Sequence, residues 1–212
     1  MSVWTTLKNL LLPLDRGFLV RGGRELKWRR DALPVPVYFH PDTPEAMVNA
    51  VHRATSRFND AIGTLLFFSP AAAVAEMLPY FEDDELRKGF SQRNNLVLVA
   101  PGFGDPKGHT YLQWDTRTGE LRTALVHIPI NVAGHVLAEM MEHEIGHVLG
   151  LDHDGSADSI MFHRLRPAWA PRARDGAEVA CAAEGRLNRL SQLDIDRLRS
   201  AYLRPPKQSA RR

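Results

Sequence analysis

One stretch of the chain, His143-Glu144-Ile145-Gly146-His147-Val148-Leu149-Gly150-Leu151-Asp152-His153, restricts the folds open to it more than any other. Residues four apart on a helix share a face, so His143 and His147 can offer two imidazole nitrogens to one zinc ion, with Glu144 beside them. Leu137, Met141 and Ile145 fall roughly 200° around the helix from that face, so one helix serves core and site together. A third ligand on the same helix could not complete a tetrahedron. The chain has to leave the helix sharply and return, and Gly150 suits that turn because glycine takes left-handed dihedrals at no steric cost. His153 then reaches the metal from another direction.

Three neutral imidazoles leave a fourth position open to water, as a catalytic zinc requires and a structural zinc does not. The expected chemistry is zinc-assisted hydrolysis of an amide. Zinc acidifies its bound water and polarises the scissile carbonyl, and Glu144 takes the proton and delivers it to the leaving amine. No covalent acyl-enzyme is needed.

The elements around this helix follow from patterning. Val35 to Phe39 is β-prone, and its prolines suit the beginning of a strand or an edge. Thr43 is placed as an N-cap and Pro44 as the first residue of a helix whose Met47, Val51, Ala54, Phe58 and Ala61 recur at helical spacing, with Gly63 ending it. Leu65 to Phe68 and Leu96 to Ala100 read as buried strands, with Glu82 to Glu85 between them as a solvated turn or helix start. Thr110 to Trp114 and Glu120 to Ile130 read as a hairpin, with Ala124, Val126, Ile128 and Ile130 on one buried face. Asn131 is the expected N-cap of the His143 helix. Ser191 to Asp194 resembles a capping box ahead of a last helix that turns Ile195, Leu198 and Tyr202 inward.

With three histidines, a glutamate and a glycine at these offsets, the chain resembles the metzincin zinc peptidases, whose extended motif is HExxHxxGxxH followed by a methionine-containing turn. Met161 stands eight residues past His153, where matrixin-like metzincins place that methionine. The segment is most similar to matrixins. The stretch from Leu190 to Tyr202 resembles their C-terminal helix and Val35 to Ile62 their opening strand and helix. Two departures concern the subfamily: Asp154 follows the third histidine where matrixins usually carry serine, and Phe162-His163 replaces the tyrosine that astacins and serralysins place after the methionine.

The resemblance implies an α+β metzincin fold, a twisted mixed sheet with an antiparallel edge strand, an active-site helix, a Met-turn and a C-terminal helix. It implies one catalytic zinc on His143, His147 and His153, Glu144 as catalytic residue, and Gly150 and Met161 as structural support. The methionine lies beneath the metal without ligating it. The domain division is an N-terminal extension over 1–32, a catalytic domain over 33–204 and a basic tail over 205–212. Matrixins also carry a structural zinc and calcium ions ahead of their edge strand. In that region only Asp105 and His109 could ligate, short of a tetrahedral set, and calcium finds no support in the sequence.

The other candidates carry less. His163, His109 and His127 read as ordinary exposed or packed histidines, and Cys181 as a small buried or loop residue that forbids an intrachain disulfide by being alone. Arg164, Arg166, Arg172, Arg174 and Arg186 would form a basic wall beside the pocket for the residue after the scissile bond, or a solvated loop. Thr110 to Trp114 is the candidate edge on which an extended substrate adds as a strand.

Composition bounds the rest. A chain of 212 residues with 44% apolar and 25% charged side chains is the size of one compact domain. A net charge of +2 is too balanced for nucleic acid as the main partner, and the basic excess lies after residue 163. The Leu10 to Leu14 run is too short for a membrane span and is broken by Pro13, so neither a membrane partner nor a signal peptide is expected. The compartment stays open, secretion being implied by the resemblance and the cytoplasm by the sequence as given. The expected partner is a protein or peptide substrate, with a monomer as default. Two rivals remain: a zinc-stabilised binding module descended from a peptidase, against which Glu144 argues, and a hydrolase dedicated to peptidoglycan cross-links or to one partner protein.

Overall fold

The computed structural model describes residues 17–68, 95–102, 108–132, 134–153, 159–161 and 190–203. Two short strands, β1 (Val20–Arg21) and β2 (Arg24–Glu25), form an antiparallel hairpin turned by Gly22 and Gly23, both at positive φ. The hairpin is followed by β3 (Val35–Phe39), α1 (Glu45–Ile62), β4 (Phe67–Phe68), β5 (Leu96–Gly102), β6 (His109–Trp114), β7 (Leu121–Pro129), α2 (Gly134–Val148) and α3 (Gln192–Tyr202).

The main sheet has the order β4-β3-β5-β7-β6. Its first four strands run parallel, and β6 closes one edge antiparallel to β7. The burial patterns follow from position. In β5 the run Leu96–Pro101 is buried throughout, as a central parallel strand covered on both faces requires. The edge strand β6 buries only Thr110 and Leu112. The expectation that Thr110 to Trp114 lies at an edge is thereby met. In β7, Ala124, Val126 and Ile128 enter the core, but the strand ends at Pro129 and Ile130 is exposed, so the predicted alternation overruns by one position.

Helix α1 lays Met47, Val51, Ala54, Phe58 and Ile62 on the core; Ile62 is fully buried and Ala61 is not. Its start differs from the sequence expectation. Pro44 stays extended at ψ 144° and caps the helix without a side-chain bond, while the Thr43 hydroxyl turns to the sheet and donates to the Val99 carbonyl at 3.3 Å. Gly63 ends the helix at φ 80°, its N–H on the Asn59 carbonyl. The Asn59 side chain then accepts from Leu66 N and Phe67 N and donates to the Phe67 carbonyl, which pins the two-residue strand β4.

Helix α2 begins at Gly134, three residues after the predicted cap Asn131, because 130–132 are used to turn the chain out of β7. Leu137, Met141, Ile145 and Val148 face the core as expected. At α3 the capping box is present, Ser191 Oγ accepting from Asp194 N and Asp194 Oδ2 accepting from Ser191 N. Leu198 and Tyr202 are buried and Ile195 is half-buried against the core.

Residues 17–32, which the sequence reading sets apart with 1–16 as an extension, contribute Phe18, Leu19, Leu26 and Trp28 to the same hydrophobic cluster as the sheet and helices. Lys27 also bonds the β6–β7 hairpin, its N–H to the Gly119 carbonyl and its own carbonyl to Leu121 N. The segment gave no periodic signal because its strands are two residues long.

Candidate metal centre

The site begins with the way α2 stops. Gly150 N donates to the His147 carbonyl at 2.9 Å and Leu151 N to the Gly146 carbonyl at 3.0 Å, the paired bonds of a Schellman ending, with Gly150 at φ 87°. A Cβ at Gly150 would also strike the Leu26 carbonyl, so any other residue is excluded by contact as well as by dihedral. The carbonyls that the helix end would leave unpaired are all taken up. Val148 accepts from Trp28 Nε1 at 2.8 Å, Leu149 from the Tyr202 hydroxyl at 2.9 Å, and Gly150 from Leu19 N at 2.7 Å. The N-terminal segment and α3 thus hold the turn that returns the chain to His153.

The three predicted ligands come together. His153 Nε2 lies 3.3 Å from His143 Nε2 and 3.2 Å from His147 Nε2. Among the described residues they form the one group of three or more histidine, cysteine or acidic side chains able to hold a metal ion. The tautomers of His143 and His147 are dictated by backbone carbonyls: His143 Nδ1 is 2.8 Å from the Ile160 carbonyl and His147 Nδ1 is 2.8 Å from that of Leu151. Each Nδ1–H is a donor there, so each Nε2 turns a lone pair inward. Burial holds the His143 imidazole down to about 4, with the neighbouring His153 adding to the effect, and pushes His147 well below the ordinary histidine range. Both are therefore neutral, as a metal ligand must be.

These residues fit zinc. A tetrahedral ion with Zn–N bonds of about 2.0–2.1 Å keeps its nitrogens about 3.3–3.4 Å apart, close to the separations of His153 from the other two. The lone pairs of His143 and His147 turn toward His153 Nε2, so a cation placed among the three nitrogens meets acceptors already aimed at it.

Glu144 is on the next helical position to His143 and is buried. Its Oε2 accepts from the Thr110 hydroxyl of β6 at 2.6 Å. Burial raises its carboxyl to about 7, against the pull of that hydrogen bond. Met161 is fully buried, and its sulfur packs so closely on Gly146 that a side chain at 146 would strike it. The Ser159-Ile160-Met161 turn is anchored from α3: Ser159 Oγ donates to the Asp194 carboxylate at 3.0 Å and accepts from Met161 N at 3.0 Å.

Four residues of this arrangement escaped the sequence reading in these roles. Thr110 lacks any motif and reaches Glu144 only through sheet geometry, and Gly108, just ahead of β6, leaves free the space where a Cβ would sit 2.8 Å from Glu144 Oε1. Gly146 lies inside the motif, but its role depends on Met161. Asp194 was legible as a cap, not as the anchor of the Met-turn. The pair Arg57–Glu142 also joins α1 to α2, with Glu142 buried and its carboxyl raised by that burial against the pull of Arg57. His109 and His127 face each other across β6 and β7, half-buried, with Tyr111 edge-on to His127 at 5.6 Å. Asp105, Asp154, His163, Cys181, the arginines from 164 to 186, the 82–85 acidic run and the 205–212 tail lie outside the described residues.

Comparison with known proteins follows the same line. The family model for matrixin matches residues 40–174. Metalloendoproteinase 2-MMP of Arabidopsis thaliana is 27% identical over 144 residues, 65% of this chain and 37% of that protein. The chain thus spans little more than a third of the length of this curated relative. High choriolytic enzyme 1, a hatching enzyme zinc-protease from Oryzias latipes (Medaka fish), superimposes on 60% of this chain and 49% of its own at 12% identity, with a TM-score of 0.34.

Proposed function

This chain belongs to the matrixin family, and we propose that it is a zinc-dependent endopeptidase in which His143, His147 and His153 hold one zinc ion and Glu144 moves the proton. The observation that supports this most is the convergence of three Nε2 atoms, two of them, on His143 and His147, with their tautomers already chosen by backbone carbonyls. Zinc bound there supplies Lewis-acid polarisation of the scissile carbonyl and acidification of the attacking water.

The chain's own residues supply the rest. Glu144 takes the proton of the attacking water and passes it to the leaving amine, a role that suits a carboxyl raised to about 7. Among the described residues edge strand β6 pairs with β7 alone, so an extended peptide can add to its other side as a further antiparallel strand. Gly150 and Met161 shape the site without touching the reaction.

The test is hydrolysis of an unfolded protein by wild type and Glu144→Ala at matched zinc content. Loss of cleavage by about 100-fold or more with zinc retained is the expected result, given the usual contribution of a general base. Equal cleavage by both proteins would remove Glu144 from the mechanism.

A further inference from the structure

We propose that Thr110, on the edge strand two residues past Gly108, is a positioning residue that decides which oxygen of Glu144 carries the shuttled proton. The inference rests on the peptidase reading given above. Its physical basis lies in what surrounds the two carboxylate oxygens.

Oε2 accepts the Thr110 hydroxyl at 2.6 Å, within the short range of charge-assisted O–H···O bonds. The donor is well fixed. Thr110 is paired with Val126 across the ladder, its β-branched side chain is confined at χ1, and it is buried against α2. The same hydroxyl lies 3.2 Å from the Glu144 backbone carbonyl, so a weaker acceptor on the same residue keeps it in place if the carboxyl moves. Oε1 meets the opposite condition. A Cβ on Gly108 would sit 2.8 Å from it and 3.1 Å from Glu144 Cγ. At that oxygen Gly108, the residue just ahead of β6, offers bare backbone.

The carboxylate is therefore gripped at one oxygen and given room at the other. An oxygen already accepting a hydroxyl proton is the poorer base, so the proton from water goes to Oε1 and leaves from it to the amine nitrogen, while Oε2 stays bonded to Thr110 throughout. One strand would then register the substrate backbone and aim the base. A general base on a flexible three-torsion side chain needs such a reference, since a misplacement near 1 Å can cost about 100-fold in rate.

The experiment uses the full chain with Thr110→Val, Thr110→Ser, Gly108→Ala and Glu144→Ala. Cleavage is read as separate kcat and KM, zinc content is measured on each, and melting temperatures are taken on metal-free protein for Thr110→Val, Glu144→Ala and the double variant. The expected result is a fall in kcat of about 10- to 100-fold for Thr110→Val at unchanged KM and zinc content, recovery of most of it in Thr110→Ser, and a kcat loss in Gly108→Ala as Oε1 is pushed aside. In metal-free protein Thr110→Val lowers the melting temperature when Glu144 is present and much less when it is alanine. Wild-type kcat in Thr110→Val overturns the proposal, as does equal impairment in Thr110→Ser or a kcat loss that tracks lost zinc. If wild type cleaves no peptide, the peptidase reading fails separately, and additive melting shifts would still overturn the seat itself.

Discussion

At the residue scale the centre is decided by where protons sit on three imidazoles. The carbonyls of Ile160 and Leu151 hold Nδ1–H on His143 and His147, so both Nε2 lone pairs face His153. A cation satisfies all three at once, and its binding adds to folding stability by mass action, about 2.7 kcal/mol at a hundredfold excess over Kd. Chelation of zinc is therefore expected to lower the melting temperature of the wild type. In His147→Ala the difference between zinc-loaded and chelated protein should largely vanish, as calorimetry with and without chelator will show. His143, Glu144 and His147 were legible because helical spacing puts them together, and His153 because Gly150 marks the turn that brings the chain back. Thr110, 34 positions from Glu144 along the chain, was not, because only the sheet brings it there.

At the scale of elements, the end of α2 and the start of α3 form one construction. Asp194 closes the α3 capping box, accepts from Ser159 and so holds the turn whose Ile160 carbonyl orients His143. Asp194→Ala removes the N3 half of the capping box and the bonds that its carboxylate accepts from Ser191 and Ser159, an expected loss of about 2–4 kcal/mol, while Ser191 Oγ keeps the backbone N–H of 194. Because the Ile160 carbonyl is released with it, zinc affinity should fall as well, although Asp194 touches no ligand. Urea unfolding and competition with a chromogenic chelator will read the two effects. Unchanged zinc affinity would confine Asp194 to helix capping. The capping box was legible from Ser191 and Asp194, while the second use of the same carboxylate was not, since nothing local marks Ser159 as its partner.

At the scale of the whole molecule, the segment 17–28 is part of the scaffold. Phe18, Leu19, Leu26 and Trp28 are buried, and Trp28 and Leu19 bond the carbonyls at the end of α2. Each large apolar side chain removed from such a core forfeits roughly 1.5–3 kcal/mol, against a total stability of about 5–15 kcal/mol for a domain. Deletion of residues 1–28 should therefore abolish cooperative unfolding and zinc binding together, whereas a trim ending before Gly17 leaves those contacts in place. Circular dichroism melts of the two truncations will check this. Higher activity after the longer deletion would mean that the segment restrains the site.

Local geometry within a few turns of one helix makes legible the shared face of His143 and His147, Glu144 beside them, the turn at Gly150, the capping box and the strand and helix periods. The sequence also carried the resemblance from which the Met-turn and the mixed sheet were expected. Only the tertiary structure decided that Thr110 reaches Glu144, that Gly146 makes room for Met161, that Asp194 anchors the Met-turn and that the N-terminal hairpin seals the end of α2. The reason is physical. Each of these contacts joins segments 15 to more than 100 residues apart, and their partners are chosen by packing and by buried polar groups needing a bond, neither of which leaves a period or spacing in the chain.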